Sequence, residues 1–330
     1  VSATLDAAHI ARAEPRRWPA APSIDRAAQM LDVILLYDCN LACDYCTITP
    51  EMRRRSLSSA KVVRELERGR AEGYDAISFT GGEPTIRRDL VGLVRAARER
   101  GFREIKIQTN GLMLAHPPNL ERLVAAGANL FHVSIQTHLQ AEYDRMVRQP
   151  GAFPLMAAAL ANLTERGLRL RADLIVTRET YPRLPDAVRW LAQRKVRALD
   201  LWYVSLTDGN AGNVDSLPRM SDAVPVMRQA LAIARAEGME ARSLHVPRCL
   251  LGADAVHAYD PGSDRVKVVT PDSTFELDRS KLAGHLRAPA CEGGCAHRAL
   301  CPGVREDYVA RFGNGEFAPV PPAGDPLQSS

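Results

Sequence analysis

Several features are scarce or missing in this 330-residue chain. No apolar run approaches the ~20 residues of a membrane helix; stretches such as Val33–Tyr37 and Met156–Leu160 are far shorter. The N-terminus lacks the basic-then-apolar order of a secretory signal, so a soluble, cytoplasmic protein is expected. Lysine is rare: Lys61, Lys106, Lys195, Lys267 and Lys281 are the only five among 43 basic residues. The formal net charge is only +4 and unclustered, which argues against nucleic-acid binding. There is no Walker loop and no Ser–His–Asp set, and Gly81-Gly82 lacks the GxGxxG spacing of a dinucleotide fold.

Cysteine is the informative residue. The seven form two groups, Cys39, Cys43 and Cys46 near one end and Cys249, Cys291, Cys295 and Cys301 near the other. An odd number in a long cytosolic chain argues for metal binding or catalysis over disulfides.

Between them the text alternates. Short apolar runs at Val33–Tyr37, Ala76–Phe79, Glu104–Gln108, Leu130–Ile135, Leu170–Val176 and Leu199–Val204 read as strands. Each precedes a helical pattern: Ser58–Arg70, Asp89–Arg98, Leu120–Ala126, Leu155–Arg166, Leu184–Arg194 and Ala223–Glu237. Six β-then-α units require a parallel sheet with right-handed crossovers, and are too few for an eight-stranded barrel. A curved three-quarter barrel and a doubly wound sheet both fit, and either places the site at the C-terminal strand ends. Residues 1–30, with Pro15, Pro19 and Pro22, read as a lead-in; 31–240 as the α/β unit; 241–317 as a small Cys-rich α+β extension; and 318–330 as a disordered tail. Within the extension, Val266–Val269 and Thr274–Leu277 read as a hairpin around Pro271-Asp272-Ser273.

Cys39-x3-Cys43-x2-Cys46 follows the first strand directly. Three thiolates are too few for a closed zinc site but suit a [4Fe–4S] cube with one open iron. Together with Thr80-Gly81-Gly82-Glu83-Pro84 after the second strand, Gln108-Thr109-Asn110-Gly111 after the third and Val133-Ser134-Ile135 in the fourth, this pattern resembles the radical S-adenosylmethionine (SAM) enzymes over roughly residues 31–205. The resemblance implies a partial (β/α)6 barrel in which the three cysteines hold a cluster whose open iron binds SAM. One electron then cleaves SAM to a 5′-deoxyadenosyl radical that takes a hydrogen atom from the substrate. It assigns SAM contacts to Tyr45, Thr80, Gly81, Gly82, Glu83, Asn110, Ser134, Arg145 and Arg148. Gly81 and Gly82 would admit a ligand to the backbone, Glu83 would accept from the SAM ammonium, and the two arginines would face its carboxylate.

The four later cysteines can close a zinc site or saturate a second [4Fe–4S] cluster. Their arrangement is similar to the SPASM and twitch extensions of radical SAM enzymes, although a full SPASM domain needs more cysteines and the twitch of molybdenum-cofactor synthesis supplies three. One auxiliary cluster, ligated by all four, is therefore expected, able to take an electron and make the net reaction an oxidation. His297 is a further candidate ligand, with His285 close by; Trp202, Tyr203, His132 and His138 stand near the expected opening. The substrate classes in competition are a peptide to be matured or crosslinked and a small biosynthetic molecule, with a flavodoxin or ferredoxin as electron donor. A redox-neutral epimerase or mutase, an RNA-modifying enzyme and a non-catalytic two-cluster electron carrier or sensor are the alternatives.

Overall fold

The computed structural model describes residues 29–260, 264–277 and 284–321. Apart from Gln29 and Met30, the expected lead-in lies outside these residues, as does the tail beyond Pro321.

Seven parallel strands lie side by side in chain order: β1 (Gln29–Leu36), β2 (Ala76–Gly81), β3 (Glu104–Thr109), β4 (Leu130–Ser134), β5 (Arg169–Val176), β6 (Ala198–Tyr203) and β7 (Glu240–Leu244). The connecting helices are α1 (Ser59–Ala71), α2 (Leu90–Glu99), α3 (Pro117–Ala126), the pair α4 (Gln140–Met146) and α5 (Ala152–Glu165), α6 (Leu184–Gln193) and α7 (Met220–Ala236). All six expected β-then-α units are present. A seventh strand is added, because Glu240–Leu244 has no apolar run to reveal it. It is fixed by pairing with β6, in which Arg242 lies opposite Asp200.

Helix formation follows local chemistry. Ser58 caps α1 by accepting from the Lys61 amide, and α2 buries Leu90, Leu93, Val94 and Ala97 at helical spacing. Along β3, Ile105, Ile107 and Thr109 are buried while Glu104, Lys106 and Gln108 are only partly covered, the alternation of a strand with helices on one face.

The expected hairpin is present as β8 (Arg265–Val269) and β9 (Thr274–Glu276), antiparallel to each other. It does not stand apart. β8 pairs in parallel with β1, so the order runs β7-β6-β5-β4-β3-β2-β1-β8-β9. Beyond it lie α8 (Arg248–Leu251), the short pair β10 (His285–Leu286) and β11 (Val304–Arg305), and α9 (Glu306–Phe312). Among the described residues no helix is long and apolar enough to cross a membrane.

The inner sheet face is charged. Register places His132 beside Arg171, Asp173 beside Asp200 and Asp200 beside Arg242. Asp200 accepts from Arg171 (2.9 Å) and, through both oxygens, from Arg242 (2.9 and 2.7 Å). Removing one partner of such a buried network strands the others. Asp200→Ala is expected to lower unfolding stability by about 3–5 kcal/mol, read from urea denaturation.

Candidate functional site

The cysteine loop leaves the C-terminal end of β1 and is fastened there by the end of β2. The Gly82 amide donates to Leu36 O (2.8 Å) and the Glu83 amide to Asp38 O (2.9 Å). Gly81 has φ +134°, and a Cβ there would lie 2.1 Å from Leu36 O; one on Gly82 would lie 2.2 Å from Asp38 O. The close approach that these glycines permit within the fold is to the chain's own backbone.

Glu83 ties the same strand ends together. It is fully buried. One oxygen accepts from the Thr85 amide (2.9 Å), the Thr85 hydroxyl and the Thr109 hydroxyl (2.7 Å), and the other from the Asn110 amide (2.7 Å). Burial raises its pKa and these donors oppose the rise. The carboxylate therefore clasps the ends of β2 and β3.

Three further clasps were not foreseen. Arg53 donates to Cys39 O (3.1 Å) and Leu41 O (2.7 Å). The amides of Ala42 and Asp44 donate to Val147 O (3.3 Å) and Met146 O (3.0 Å) at the end of α4. From the loop after β6, Asn210 donates to Tyr45 O (2.9 Å), Asn213 to Asp44 O (3.1 Å) and the Gly209 amide to Thr47 O (2.8 Å). Arg53 is hidden in an arginine run, and Asn210 and Asn213 are marked only by standing in a loop at a C-terminal strand end, which does not tell their partners.

The three thiols lie within each other's electrostatic reach. Burial is the main cause that lifts Cys39 to about 11 and Cys43 to about 12. All three cysteines are free and partly exposed on one loop, and three such sulfurs are a donor set that fits a bound metal cluster. Asn110 lies against it, with Nδ2 2.8 Å from Asn40 Oδ1 and 3.9 Å from Cys39 Sγ. Tyr45 and Cys43 lie within each other's electrostatic reach. Thr80 and Ser134 are partly exposed near the C-terminal ends of β2 and β4. Arg145 and Arg148 are exposed; both act on Asp44 in the loop, and Arg145 pairs with Glu179.

The other four cysteines also converge. Cys249, Cys291, Cys295 and Cys301 line one cavity, together with His297. Burial raises Cys249 to about 11, and the other three thiols push in the same direction. Residues expected to begin a disordered tail are instead engaged here. The Val320 amide donates to Cys295 Sγ (3.4 Å), and Val320 O accepts from the Ala296 amide (2.7 Å). His285 belongs to β10 and does not line the cavity.

Of the remaining candidates, Tyr203 is buried with its hydroxyl donating to Pro218 O. Trp202 is partly exposed and meets His245 edge-on at 5.6 Å. His132 is buried and held neutral by desolvation; His138 is only partly covered. Ligand-type atoms of His132, Asp173 and Asp200 lie within 4.8 Å of one another, but Asp200 is already taken by two arginines, which makes this group part of the inner ion network.

Residues 33–191 match the family model described as Radical SAM superfamily. Over 181 residues the chain is 30% identical to a probable GTP 3′,8-cyclase of Methanopyrus kandleri, covering 54% of this chain and 58% of that one. Over 206 residues it is 28% identical to the PqqA peptide cyclase of Gluconobacter oxydans, covering 62% and 57%. The aligned stretch thus spans little more than half the length of these curated relatives. The solved structure of native anSMEcpe with bound AdoMet and Kp18Cys peptide shares the fold, with a TM-score of 0.65 at 14% identity over 89% of this chain and 92% of that one.

The geometry at the root of the loop is directly testable. Gly82→Ala forces a Cβ into the Asp38 carbonyl. It is expected to cost about 3 kcal/mol in urea unfolding and to leave the N-terminal thiols poorly loaded in anaerobic iron analysis.

Proposed function

Because residues 33–191 are a radical SAM domain, we infer that the chain is a radical SAM oxidoreductase with a second, auxiliary cluster in a C-terminal domain spanning residues 241–317. Cys39, Cys43 and Cys46 would hold the first [4Fe–4S] cluster, leaving one iron for SAM. The chemistry the pair supplies when bound is reductive cleavage of SAM to a 5′-deoxyadenosyl radical and abstraction of a substrate hydrogen atom. The chain's own contribution is placement. Glu83, Arg53, Asn210 and Asn213 hold the loop, while Tyr45, Thr80, Gly81, Gly82, Glu83, Asn110, Ser134, Arg145 and Arg148 are the residues offered for SAM.

The observation that carries the oxidative reading is the cavity with four thiols. Four protein ligands saturate a cubane, so a cluster there transfers electrons instead of binding substrate. An electron from the substrate radical would pass to it, and the external donor is a flavodoxin or ferredoxin. The substrate we favour is a peptide, because anSMEcpe is seen with a peptide and one relative is a peptide cyclase. A small-molecule substrate is the second reading, favoured by the 30% identity to a GTP cyclase.

Anaerobic iron and sulfide analysis with EPR tests the assignment. About eight irons are expected in the wild type and about four in the Cys39→Ala/Cys43→Ala/Cys46→Ala variant, which should also lose 5′-deoxyadenosine formation. Cys291→Ala should keep SAM cleavage and lose product. About four irons in the wild type, vanishing in the triple variant, would remove the electron acceptor and make a redox-neutral reaction the reading.

A further inference from the structure

The loop after β6 is bonded on two sides. On one side Asn210, Asn213 and the Gly209 amide hold the carbonyls of Tyr45, Asp44 and Thr47 in the cysteine loop. A Cβ on Gly209 would lie 2.9 Å from Ile48 O and 3.0 Å from Cys46 O, so the two backbones run in close contact there. Asn210 is buried and its amide is saturated: Oδ1 accepts from the Thr207 amide (2.8 Å), and Nδ2 donates to Ser205 O (2.8 Å) as well as to Tyr45 O. On the other side the same loop is tied to α9. The Leu206 amide donates to Asp307 Oδ2 (2.5 Å), and Arg311 pairs with Asp215 (3.3 Å). The Tyr308 hydroxyl of α9 accepts from the Met220 amide at the start of α7 (2.9 Å). α9 itself abuts the thiol cavity. Tyr308 meets Phe317 at 5.7 Å, and Phe317 lines that cavity with the four cysteines. Asp307 is also paired with Arg305 (3.1 Å), which follows closely on Cys301. Residues 206–213 are therefore a strap between the two cysteine groups, fixed at one end to each.

We propose that Asp307 and Asn210 are positioning residues of the SAM site: through the strap at residues 206–213, a metal centre in the four-thiol cavity sets the cysteine loop for SAM binding. This rests on the reading of both cysteine groups as cluster sites. A loop that must be ordered as its ligand arrives binds that ligand less tightly than one already held. A centre bound by the four sulfurs cross-links the segments that line the cavity. α9 lies between two of these, at Cys301 and Phe317, and the strap is anchored on α9. Without the centre, packing alone holds that anchor. The coupling is reciprocal, so SAM at the first site favours metal at the second by the same factor.

The test is a double-mutant cycle on the anaerobically reconstituted holoenzyme, read by equilibrium dialysis with labelled SAM and by the iron content of each variant. Cys291→Ala/Cys295→Ala, which strips the C-terminal centre, is expected to weaken SAM binding about tenfold, a loss compatible with SAM cleavage at saturating SAM. Asp307→Ala, which cuts the strap, should keep the iron of both sites and weaken SAM binding by a similar factor. Combining the two changes should add nothing further, because each interrupts the same connection. Asp307→Asn, which keeps an oxygen for the Leu206 amide, should restore binding to near the wild-type level. If Asp307→Ala loses its C-terminal iron, Asn210→Ala cuts the strap at its other end, and the same lack of a further loss is expected. Unchanged SAM binding in Cys291→Ala/Cys295→Ala, or losses that multiply to about a hundredfold in the combined variant, overturns the inference alone. A wild type with only about four irons, or without SAM binding, overturns the two-cluster reading and this inference with it.

Discussion

The buried carboxylate of Glu83 is the constraint on which the site depends. It collects donors from Thr85, Thr109 and Asn110, and its own amide holds Asp38 at the root of the cysteine loop. Three strand ends are thereby locked at one point. A carboxylate removed from water is stable only when such donors replace its hydration. The two preceding glycines are required by the same geometry, since a side chain on either would occupy the place of a β1 or loop carbonyl. Loop, strand ends and thiols form one rigid piece, which is what a metal centre needs if its ligands are not to be rearranged by each turnover.

The barrel interior is organised by a different economy. An apolar filling would be more stabilising than the network of Arg171, Asp173, Asp200 and Arg242, since ion pairs buried from water recover little net energy. What the network supplies is register. Asp173 sits opposite Asp200, and Asp200 opposite Arg242, so a slip of one residue would part Asp200 from Arg242 and bury unpaired charge. The polar inner face and the apolar helix-covered face together explain why β7, with two charges in five residues, is a strand at all.

The C-terminal thiols are brought together over a far longer loop of chain. Cys249 follows β7 directly, whereas Cys291, Cys295 and Cys301 come after the sheet has been extended by β8 and β9 on its opposite edge. Residues 317–320 then close over the cavity, with Val320 bonded to Cys295 and Ala296. Burial is the leading cause of the raised Cys249 pKa, and the Ala318 backbone acts against it.

The sequence by itself determined the α/β alternation, the two cysteine groups and the placement of Cys39–Cys46 and Gly81–Glu83 at strand ends. Each of these is a local signal: hydrophobic period, residue type and short spacing, all read within a few residues. The tertiary structure decided what those residues do. Glu83 and the glycines fasten the chain's own backbone at the root of the cysteine loop, a role that only the fold shows. β7 was illegible because its stability comes from cross-strand ion pairs and not from an apolar run. The clasps from Arg53, Asn210 and Asn213 and the pairing of β8 with β1 are contacts between segments up to some 240 residues apart. No local pattern encodes such contacts; they exist only once the chain has folded and backbone groups must find donors and acceptors wherever packing has left them.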